Sequence, residues 1–382
     1  MKRSSLGQII MPTGSGKTIC MIQDCIDRFT LLENKPAKII VVAPRIVLAQ
    51  QLCDEFIKHE VNAAVFHVHS GKVQHFSSTD AVYIKRWSEQ AYRHQIYFTT
   101  YNSLGALVKA KIHADTIYFD EAHHSVKRHF FPMCEVASAD YSDRTFWFTA
   151  TRRVSNDLMK PGMNDEEVYG KVLHTVSLKE LVDKGYIAPA KVSVSSFDKV
   201  KKDDLTYQIE ADNLIQTIDN GGKNKILICC RSTRQMMGMI HGSDLSVKLK
   251  DRGFDLLTIT SKYGATLNGH RISRSDFMVL LNDYGENPNK KFCVFHYSIL
   301  TEGISINELD SCVFLRNMNV VAMQQCIGRV IRKGRDSYDG ESKVAELAIP
   351  SYSQVGVSTA RQLNNIVDAT FNQGQSLISE IK

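Results

Sequence analysis

A glycine-rich turn near the start of the sequence has the composition of a phosphate-binding loop. Residues 11–18 read MPTGSGKT, follow an apolar run and precede an amphipathic stretch, and a strand-loop-helix context is what such a loop requires. Gly14 and Gly16 let backbone N–H groups turn toward phosphates, and Lys17 can neutralise phosphate oxygens. The common pattern has glycine where this chain has Met11, so a chance Gly-x-Gly-Lys-Thr is the alternative. The candidate phosphate-binding residues are Thr13, Gly14, Ser15, Gly16, Lys17 and Thr18.

Two neighbouring carboxylates could act on the same phosphates. Asp120 and Glu121 follow the apolar run 117–119, and ligands of open α/β sheets bind at the C-terminal ends of strands. Asp120, together with the Thr18 hydroxyl, can hold Mg²⁺, and Glu121 can orient or deprotonate an attacking water. A lone Asp-Glu pair is usually a solvated surface feature, but a further predicted strand follows and ends in Thr149-Ala150-Thr151.

These residues need a framework of strands and helices, and the sequence predicts one. Short apolar runs alternate with amphipathic stretches, which is typical of an α/β fold with a mostly parallel sheet. Helices are expected over 18–32 and 48–59. Strands are expected over 8–11, 38–43, 95–99, 116–119 and 145–148, and in a second set over 191–194, 225–229, 256–260, 291–295 and 311–315.

Length and composition favour two folded domains. A chain of 382 residues is long for one hydrophobic core. Gly185 and Pro189 break the pattern between the two sets of strands, so we place the domains at 1–189 and 190–382, with one or two helices at the C-terminal end packing on the second. Apolar residues make up 43% and charged residues 23%, which is ordinary globular composition, and no repeats or low-complexity tracts suggest a solenoid or a disordered tail. The net charge of +6 favours polyanions without proving that they bind.

Cysteine usage and hydropathy bear on location. The nine cysteines show no Cys-x-x-Cys and no paired Cys/His spacing of the zinc type, which predicts buried free thiols in a reducing compartment. No apolar run reaches membrane-spanning length, and the start of the chain is a poor match to a signal peptide. We therefore expect an intracellular protein, cytoplasmic or nucleoid-associated, with no membrane partner.

The ordered motifs resemble those of superfamily 2 helicases nearly end to end. Residues 11–18 match motif I, Asp120–His123 spells the DEAH form of motif II, and Thr149–Thr151 matches motif III. The other matches are Ala43–Arg45 for motif Ia, Thr99–Leu104 for the motif after it, Ile228–Arg234 for motif IV, Leu300–Ser305 for motif V and Gln325–Arg332 (QCIGRVIR) for the QxxGRxxR motif VI.

The resemblance implies two tandem RecA-like parallel-sheet domains with ATP and Mg²⁺ bound in the cleft between them. It places Gln325 near the nucleotide or the attacking water, assigns Arg329 and Arg332 to the developing charge of the γ-phosphate, and adds Gly303 to the nucleotide site. An arginine so placed can accelerate the reaction by about 10³-fold or more. The alternative for the arginines is a basic surface helix.

The same resemblance implies contacts with the phosphate backbone of a nucleic acid. The family uses the positions of Arg45, Thr100, Tyr101, Arg231 and Thr301 for this task, and hydroxyls and arginines suit it. For Tyr101 a place in the core is an equal alternative.

Departures from the family pattern qualify the expected activity. Relatives carry a segment upstream of the loop that helps to hold the adenine, whereas ten residues precede the loop here. The expected explanations are three: base recognition is weak, a partner supplies it, or the start has been trimmed. Ser305 replaces the aspartate of many relatives. The motif variants look most like phage recombination or branch-migration helicases and restriction-enzyme motor subunits, which favours DNA over RNA.

The predicted function is therefore a nucleic-acid-stimulated ATPase that acts as a DNA helicase or translocase. An RNA helicase, or a motor subunit of a larger complex that does not separate strands, is the runner-up. An interaction module without catalysis is disfavoured by the intact Lys17, Asp120, Glu121 and Arg329, and a P-loop kinase would not need the second domain. Protein partners are not predicted.

Overall fold

A computed structural model describes residues 1, 4–32, 35–90, 93–157, 159–199, 205–260, 262–297, 308–333, 343–352 and 354–381. The chain forms two compact units, the first comprising Met1–Val176 and Ser376–Lys382 and the second Ser177–Gln375. Each unit is an α/β layer structure built on its own sheet, so the predicted fold class is confirmed.

The strands of the first unit are short and mostly buried. They are β1 (Leu6–Ile10), β2 (Lys38–Ala43), β3 (Ala64–Val68), β4 (Phe76–Ser77), β5 (Gln95–Thr100), β6 (Thr116–Phe119), β7 (Thr145–Thr149), β8 (Arg152–Ser155) and β9 (Val172–Thr175). Eight of them form one sheet in the order β4-β3-β5-β2-β6-β7-β1-β9, and the neighbours pair in parallel. The C-terminal ends of β1, β2, β5, β6 and β7 therefore meet at one edge, which is where the predicted motifs lie.

Helices cover both faces of this sheet. They are α1 (Lys17–Leu31), α2 (Ile46–Lys58), α3 (Ala81–Gln90), α4 (Leu104–Lys109), α5 (Phe131–Asp140) and α6 (Glu166–Tyr169), with a 3₁₀ turn at Ala122–His124. Helix α1 buries Met21, Ile22, Cys25 and Phe29 on one side, the spacing of an amphipathic helix. Two apolar clusters, one on each sheet face, form the core.

An ion pair lies beside that core. Arg144 Nη2 donates to Asp24 Oδ1 at 2.9 Å, and the Tyr118 hydroxyl donates to Asp24 Oδ2 at 2.6 Å. Asp24 is 6% exposed, so its charge depends on these two partners.

The second unit also contains an eight-stranded sheet. Its strands are β10 (Ala190–Ser196), β11 (Lys225–Cys229), β12 (Asp255–Thr260), β13 (Gly264–Leu267), β14 (His270–Ile272), β15 (Phe292–His296), β16 (Ser311–Phe314) and β17 (Ala345–Ser351). The order is β10-β17-β16-β11-β15-β12-β13-β14. The pairings are parallel except at the β12-β13-β14 end, where they are antiparallel.

Several helices of the second unit begin after a residue whose side chain caps the helix N-terminus. The helices of this unit are α7 (Leu178–Asp183), α8 (Thr206–Gly221), α9 (Thr233–His241), α10 (Leu245–Asp251), α11 (Arg274–Glu286), α12 (Val320–Val330) and α13 (Gln354–Val367), followed by a π-helical turn at Asp368–Asn372. The Asn319 side chain accepts from Ala322 N at the start of α12, and Ser232 and Ser273 cap α9 and α11 in the same way, which satisfies N–H groups that a helix start leaves unpaired.

The boundary between the units differs from the predicted one. It falls after Val176 rather than after Pro189, because the intervening segment is tied to the second unit: Ala188 N donates to Ile331 O at 2.7 Å, and Ile187 bridges to Arg332. Gly185 and Pro189 thus lie inside the second unit.

The C-terminal end also departs from the predicted all-helical segment. Helix α13 packs on β17 and β10 of the second unit, but the strand β18 (Ile378–Ile381) follows the π-helical turn and pairs in parallel with β8 of the first unit. No helix among the described residues is both long and apolar enough to span a bilayer.

Candidate nucleotide-binding site

The loop after β1 has the backbone shape that a phosphate cradle needs. Gly14 and Gly16 have φ of 84° and 91°, in the left-handed region that other residues avoid. Ser15 closes the turn, donating to Pro12 O from its backbone N at 3.3 Å and from its hydroxyl at 2.6 Å. A Cβ added at Gly16 would meet no atom within 4 Å, so the backbone conformation, rather than space, requires glycine there.

Lys17 and Thr18 form the first residues of α1 under this loop. Lys17 is 9% exposed, and its Nζ donates to Met11 O at 3.3 Å and to Pro12 O at 3.4 Å. The same Nζ lies 3.9 Å from Glu121 Oε1. Within the described part of the chain, Thr13 Oγ1 is buried without a hydrogen-bond partner. The loop therefore holds a positive charge and a buried, unsatisfied hydroxyl beside its N–H groups.

The two predicted carboxylates lie at the end of β6, separated from the loop by one strand of the sheet. Asp120 is anchored through its backbone N, which donates to Val42 O at 2.8 Å, whereas its side-chain Oδ1 is buried with no partner among the described residues. Burial raises the pKa of Asp120 to about 7, and the neighbouring Glu121 carboxylate adds to this while Lys17 opposes it. A carboxylate in this setting is stabilised by an added cation.

Glu121 adopts a backbone conformation that is rare for a non-glycine residue. Its φ of 47° and ψ of 51° are left-handed, and such outliers persist where the surrounding structure determines them. Glu121 is 9% exposed. The side chain runs toward Lys17 through Oε1, and its Oε2 lies 3.4 Å from His123 Nδ1.

His123 links the carboxylate segment to the next strand. Its Nδ1 lies 3.1 Å from Thr149 Oγ1, and Thr149 Oγ1 in turn accepts from Thr151 N at 3.2 Å. Burial, with the positive charges of Arg153, Lys127 and Lys17 around it, lowers the pKa of His123 to about 3. The imidazole is thus neutral at pH 7, and its contact with Glu121 is not an ion pair.

Tyr101 is a core residue, which corrects its prediction as a nucleic-acid contact. It is 2% exposed, its ring packs near Phe119 and Phe130, and its hydroxyl donates to Asp120 O at 2.9 Å. Burial raises its pKa well above the ordinary value. The aromatic ring therefore supports the carboxylate segment from inside the domain.

Two other residues of the first unit are predicted to contact nucleic acid, and they differ in exposure: Thr100 is buried and Arg45 is exposed. Thr100 is 4% exposed, and its hydroxyl donates to Ser103 Oγ at 3.3 Å, so its side chain is also internal and this prediction is corrected too. Arg45 is exposed at the start of α2, directly after β2. Of these residues, Arg45 has a side chain that a polyanion can reach.

The second unit places the motif VI residues on and directly after one helix. Gln325 and Arg329 are four residues apart on α12, hence on the same face, and are 7% and 3% exposed. Arg332 follows the helix end and is half-buried. Burial and the charge of Arg329 lower the pKa of Arg332 to about 10, which leaves it charged at pH 7. The arginines are therefore not a solvated surface row.

Three predicted site residues of the second unit remain. One is an exposed arginine, and two are not among the described residues. Arg231 follows β11, is about half exposed, and its Nη2 lies 3.1 Å from Glu210 Oε1. Thr301 and Gly303, with the rest of motif V, lie outside the described residues. The sequence analysis assigned no role to the His123 side chain or to the Tyr101 hydroxyl at this site, although both residues lie within predicted motifs.

Comparison with known proteins bears on both units. Residues 2–153 match the protein family described as "Type III restriction enzyme, res subunit", a span that holds the loop, both carboxylates and Thr149. The DNA-bound ATP-dependent Type ISP restriction-modification enzyme LlaBIII shares the fold at a TM-score of 0.75, with 17% identity over 100% of this chain. The resemblance to superfamily 2 helicases is confirmed.

Two further solved structures extend the comparison. A nuclease-deletion mutant of the Type ISP enzyme LlaGI, in complex with a DNA substrate mimic, has a TM-score of 0.67 and 19% identity over 99% of this chain. A DEAD box protein from Methanococcus jannaschii has a TM-score of 0.50 and 18% identity, covering 100% of this chain and 89% of that one. At these identities the likeness establishes the RecA-like helicase fold. This chain spans 30% and 29% of the LlaBIII and LlaGI chains, and no curated protein sequence matches it.

Proposed function

We propose that this chain is an ATP-driven motor that moves on or remodels DNA, with hydrolysis stimulated by the nucleic acid. The observation that carries the proposal is the convergence of Lys17 Nζ, Glu121 and the unpartnered Asp120 Oδ1 beside a loop of left-handed glycines. A cation, a polarising carboxylate and a proton acceptor are what ATP hydrolysis by water needs.

The donor chemistry of the site fits ATP with Mg²⁺. Mg²⁺ prefers oxygen ligands, and the Thr18 hydroxyl together with the Asp120 carboxylate offers them; the buried Asp120 Oδ1 has no other partner among the described residues. Residues 13–18 would hold the phosphates. When bound, Mg²⁺ neutralises phosphate charge and positions the oxygens.

Glu121 is the candidate base. Its carboxylate is held between Lys17 on one side and the neutral His123 on the other. Because His123 Nδ1 can donate to only one acceptor at a time, a bond to Thr149 leaves Glu121 Oε2 to accept a proton from water. Through His123, a change in the hydrogen bonding of Glu121 alters that of Thr149. Thr149–Thr151 resemble motif III, which in superfamily 2 helicases couples hydrolysis to contacts with the nucleic-acid strand.

Arg329, Arg332 and Gln325 complete the proposed reaction from the second unit. We infer that the ATP site lies between the two units and that closure brings these side chains to the phosphate, so that hydrolysis is coupled to domain motion. Their positions on and beside one helix support joint movement. Gly303 is proposed to belong to the nucleotide site. Thr301 is proposed to contact the phosphate backbone of the nucleic acid.

DNA is the proposed track, and Arg45 and Arg231 are the proposed contacts to its phosphates. Both side chains are exposed, as a sequence-independent electrostatic contact requires. LlaBIII and LlaGI were solved with DNA or a DNA mimic, which supports DNA over RNA. A motor subunit that moves along duplex DNA without separating its strands is the second candidate, favoured by the same restriction-enzyme comparisons.

The proposal is tested by ATP hydrolysis against single-stranded, duplex and branched DNA and the matching RNAs. We expect DNA to raise the rate and Lys17→Ala to abolish both basal and stimulated turnover. Stimulation by RNA and not by DNA would contradict the proposed DNA track and identify RNA as the substrate. A strand-displacement assay with the same duplexes separates the two candidates, since a translocase without helicase activity hydrolyses ATP but leaves the duplex intact.

A further inference from the structure

An open cavity of about 690 Å³ lies in the second unit, beside the segments that follow strands β11 and β12. Its volume is in the range of small-ligand pockets, and the C-terminal ends of parallel strands are where open α/β sheets bind ligands. We call it the tyrosine cavity. Its lining includes Tyr207 from α8, Arg234, Gly238 and His241 from α9, and Lys262 and Tyr263 from the segment after β12.

Tyr207 forms one wall of the tyrosine cavity, and its ring lies flat on helix α9. A Cβ added at Gly238 would meet Tyr207 Cζ at 2.4 Å, Cε1 at 2.5 Å and Cε2 at 2.6 Å, so these ring atoms are almost equally close to the helix. Glycine is unfavourable inside a helix, and here it makes room for the ring. The half-buried tyrosine is therefore held in place by the helix backbone.

Tyr263 supplies a second aromatic surface at the opening of the cavity. Its side chain is 48% exposed, but its backbone N donates to Thr260 Oγ1 at 2.8 Å, and Thr260 is buried at the end of β12. Lys262 Nζ lies 5.2 Å from the centroid of the Tyr263 ring. The backbone is thus anchored to the sheet, while the ring stays accessible for stacking with a planar ligand.

The tyrosine cavity also carries positive charge that other side chains do not neutralise. Arg234 and Lys262 are exposed, and neither forms an ion pair with an acidic side chain in the described part of the chain. Lys248 on the next helix, in contrast, pairs with Asp212 and Asp244. Asp244, the acidic residue closest in sequence to the cavity lining, is therefore already neutralised, and the cavity favours an anion.

Aromatic rings beside unpaired cations match the chemistry of a nucleoside phosphate. Arginine and lysine bind phosphate oxygens, and tyrosine rings stack on any base because every base has a π-face. The cavity adjoins a proposed phosphate contact, since Arg231 and Arg234 lie three residues apart in the segment between β11 and α9. A base inside an intact duplex is already stacked and paired, so the base that these tyrosines fit is an unpaired one.

We propose that the tyrosine cavity binds one unpaired nucleotide of a DNA strand, with its base against Tyr263 and Tyr207 and its phosphate on Arg234 and Lys262. This inference rests on the proposed function, because it adds a subsite for a base to the proposed phosphate contacts. It makes the second unit sensitive to whether the bases of the strand are paired.

Strand affinity of the full chain, measured by fluorescence anisotropy without ATP, tests the proposal. The probes are a labelled single strand of DNA and the same strand with abasic positions. Tyr263→Ala should weaken binding of the base-bearing strand at least about fivefold and leave the abasic strand unaffected. Tyr263→Phe keeps the aromatic ring and should bind as wild type does. Tyr186→Ala is the matched control, since Tyr186 is an exposed tyrosine of the same unit that does not line the cavity.

Arg234→Ala tests the phosphate side of the cavity. We expect it to weaken both strands and to reduce the slope of log affinity against log salt by about one contact. An unchanged slope would overturn the assignment of the phosphate to Arg234.

Equal affinity of Tyr263→Ala and wild type for the base-bearing strand would overturn the proposal, and so would a wild type that binds no single strand. Free ATP that binds Lys17→Ala and is lost from the double variant with Tyr263→Ala would overturn it in favour of a free nucleotide. These results separate from those on the motor. DNA-stimulated hydrolysis with strand affinity independent of Tyr263 contradicts the cavity alone, whereas Tyr263-dependent strand affinity without stimulated hydrolysis supports the cavity and contradicts the motor.

Discussion

His123 Nδ1 lies 3.1 Å from Thr149 Oγ1, so the carboxylate segment after β6 is bonded to the end of the neighbouring strand β7. Thr149 Oγ1 also accepts from Thr151 N at 3.2 Å and donates its proton to Thr151 O at 3.0 Å, which leaves His123 Nδ1 as the donor in the bond between them. Since His123 is neutral, the bond is between two uncharged groups and can rearrange at low cost. It is a direct physical route from Glu121 to the Thr149–Thr151 segment.

Thr149→Val tests this route. The substitution keeps the shape of the side chain and removes its hydroxyl, so His123 loses a partner worth about 1 kcal/mol, or about a fivefold effect on an equilibrium. We expect DNA-stimulated ATP turnover to fall by about this factor or more while ATP affinity is retained. Thr149→Ser, which keeps the hydroxyl, is the control. Equal stimulation in Thr149→Val and wild type would contradict the coupling role.

The buried ion pair between Asp24 and Arg144 is expected to contribute more to the stability of the first unit than an exposed charge on the same helix. Asp24→Asn leaves Arg144 without a charged partner close to the core, and breaking a buried pair costs about 3–5 kcal/mol; because Arg144 is partly exposed, we expect the lower end. Urea unfolding measures the change. Asp27→Asn on the same helix, whose carboxylate pairs with Gln23, should cost less than about 1 kcal/mol. Equal effects of the two substitutions would refute the assignment.

The buried histidine His67 predicts a loss of stability in acid. Burial, aided by His69 and His75, lowers its pKa from 6.5 to about 4. The unfolded chain therefore binds more protons between pH 6.5 and 4, and the free energy of unfolding falls as the pH drops through this window, by up to about 1.4 kcal/mol per pH unit. His67→Gln should show a shallower decline than wild type, and exposed His270→Gln should not. An identical slope in His67→Gln would contradict the prediction.

Sequence patterns predicted most of the framework because buried parallel strands give continuous apolar runs. Strands such as 38–43, 116–119 and 225–229 were placed with their observed bounds. Strands β3 and β9 and the β13-β14 hairpin were missed, since they lie at or near sheet edges and carry polar residues. The C-terminal strand β18 was read as helix because its pairing with β8 joins residues more than 200 positions apart, which no local pattern reveals.

The candidate site was predictable to the extent that its chemistry is local in sequence. The loop residues and the Asp-Glu pair were predicted from residue type and flanking elements, and the structure places Lys17 beside Glu121; their roles stay predictions. Side-chain burial was not predictable, and this is why Tyr101 and Thr100 proved to be internal. The meeting of Cys229, Cys312 and Cys326 was equally hidden, because two adjacent strands and a helix bring their sulfur atoms together only in the fold.

Arg329→Ala tests the contribution of the second unit. We expect ATP affinity to stay close to wild type, because the first unit supplies the phosphate loop, and stimulated turnover to fall by a factor on the order of 10³ if the arginine stabilises the transferring phosphoryl group. Arg252→Ala is the control, since Arg252 belongs to the same unit but forms a surface ion pair with Asp219. Normal ATP hydrolysis by Arg329→Ala would show that Arg329 does not take part in the reaction and would contradict the proposed role of the second unit.

The most direct measurement of the central claim is phosphate release from ATP, with and without DNA, by wild type and Glu121→Gln. The account predicts a DNA-stimulated rate for wild type and its loss in Glu121→Gln, which retains the side-chain shape and ATP binding but cannot accept a proton. Nucleotide binding by Glu121→Gln, followed with a fluorescent ATP analogue, confirms that the fold is intact. Wild-type turnover in Glu121→Gln, or a wild type that binds ATP yet never hydrolyses it with any nucleic acid, would contradict the account.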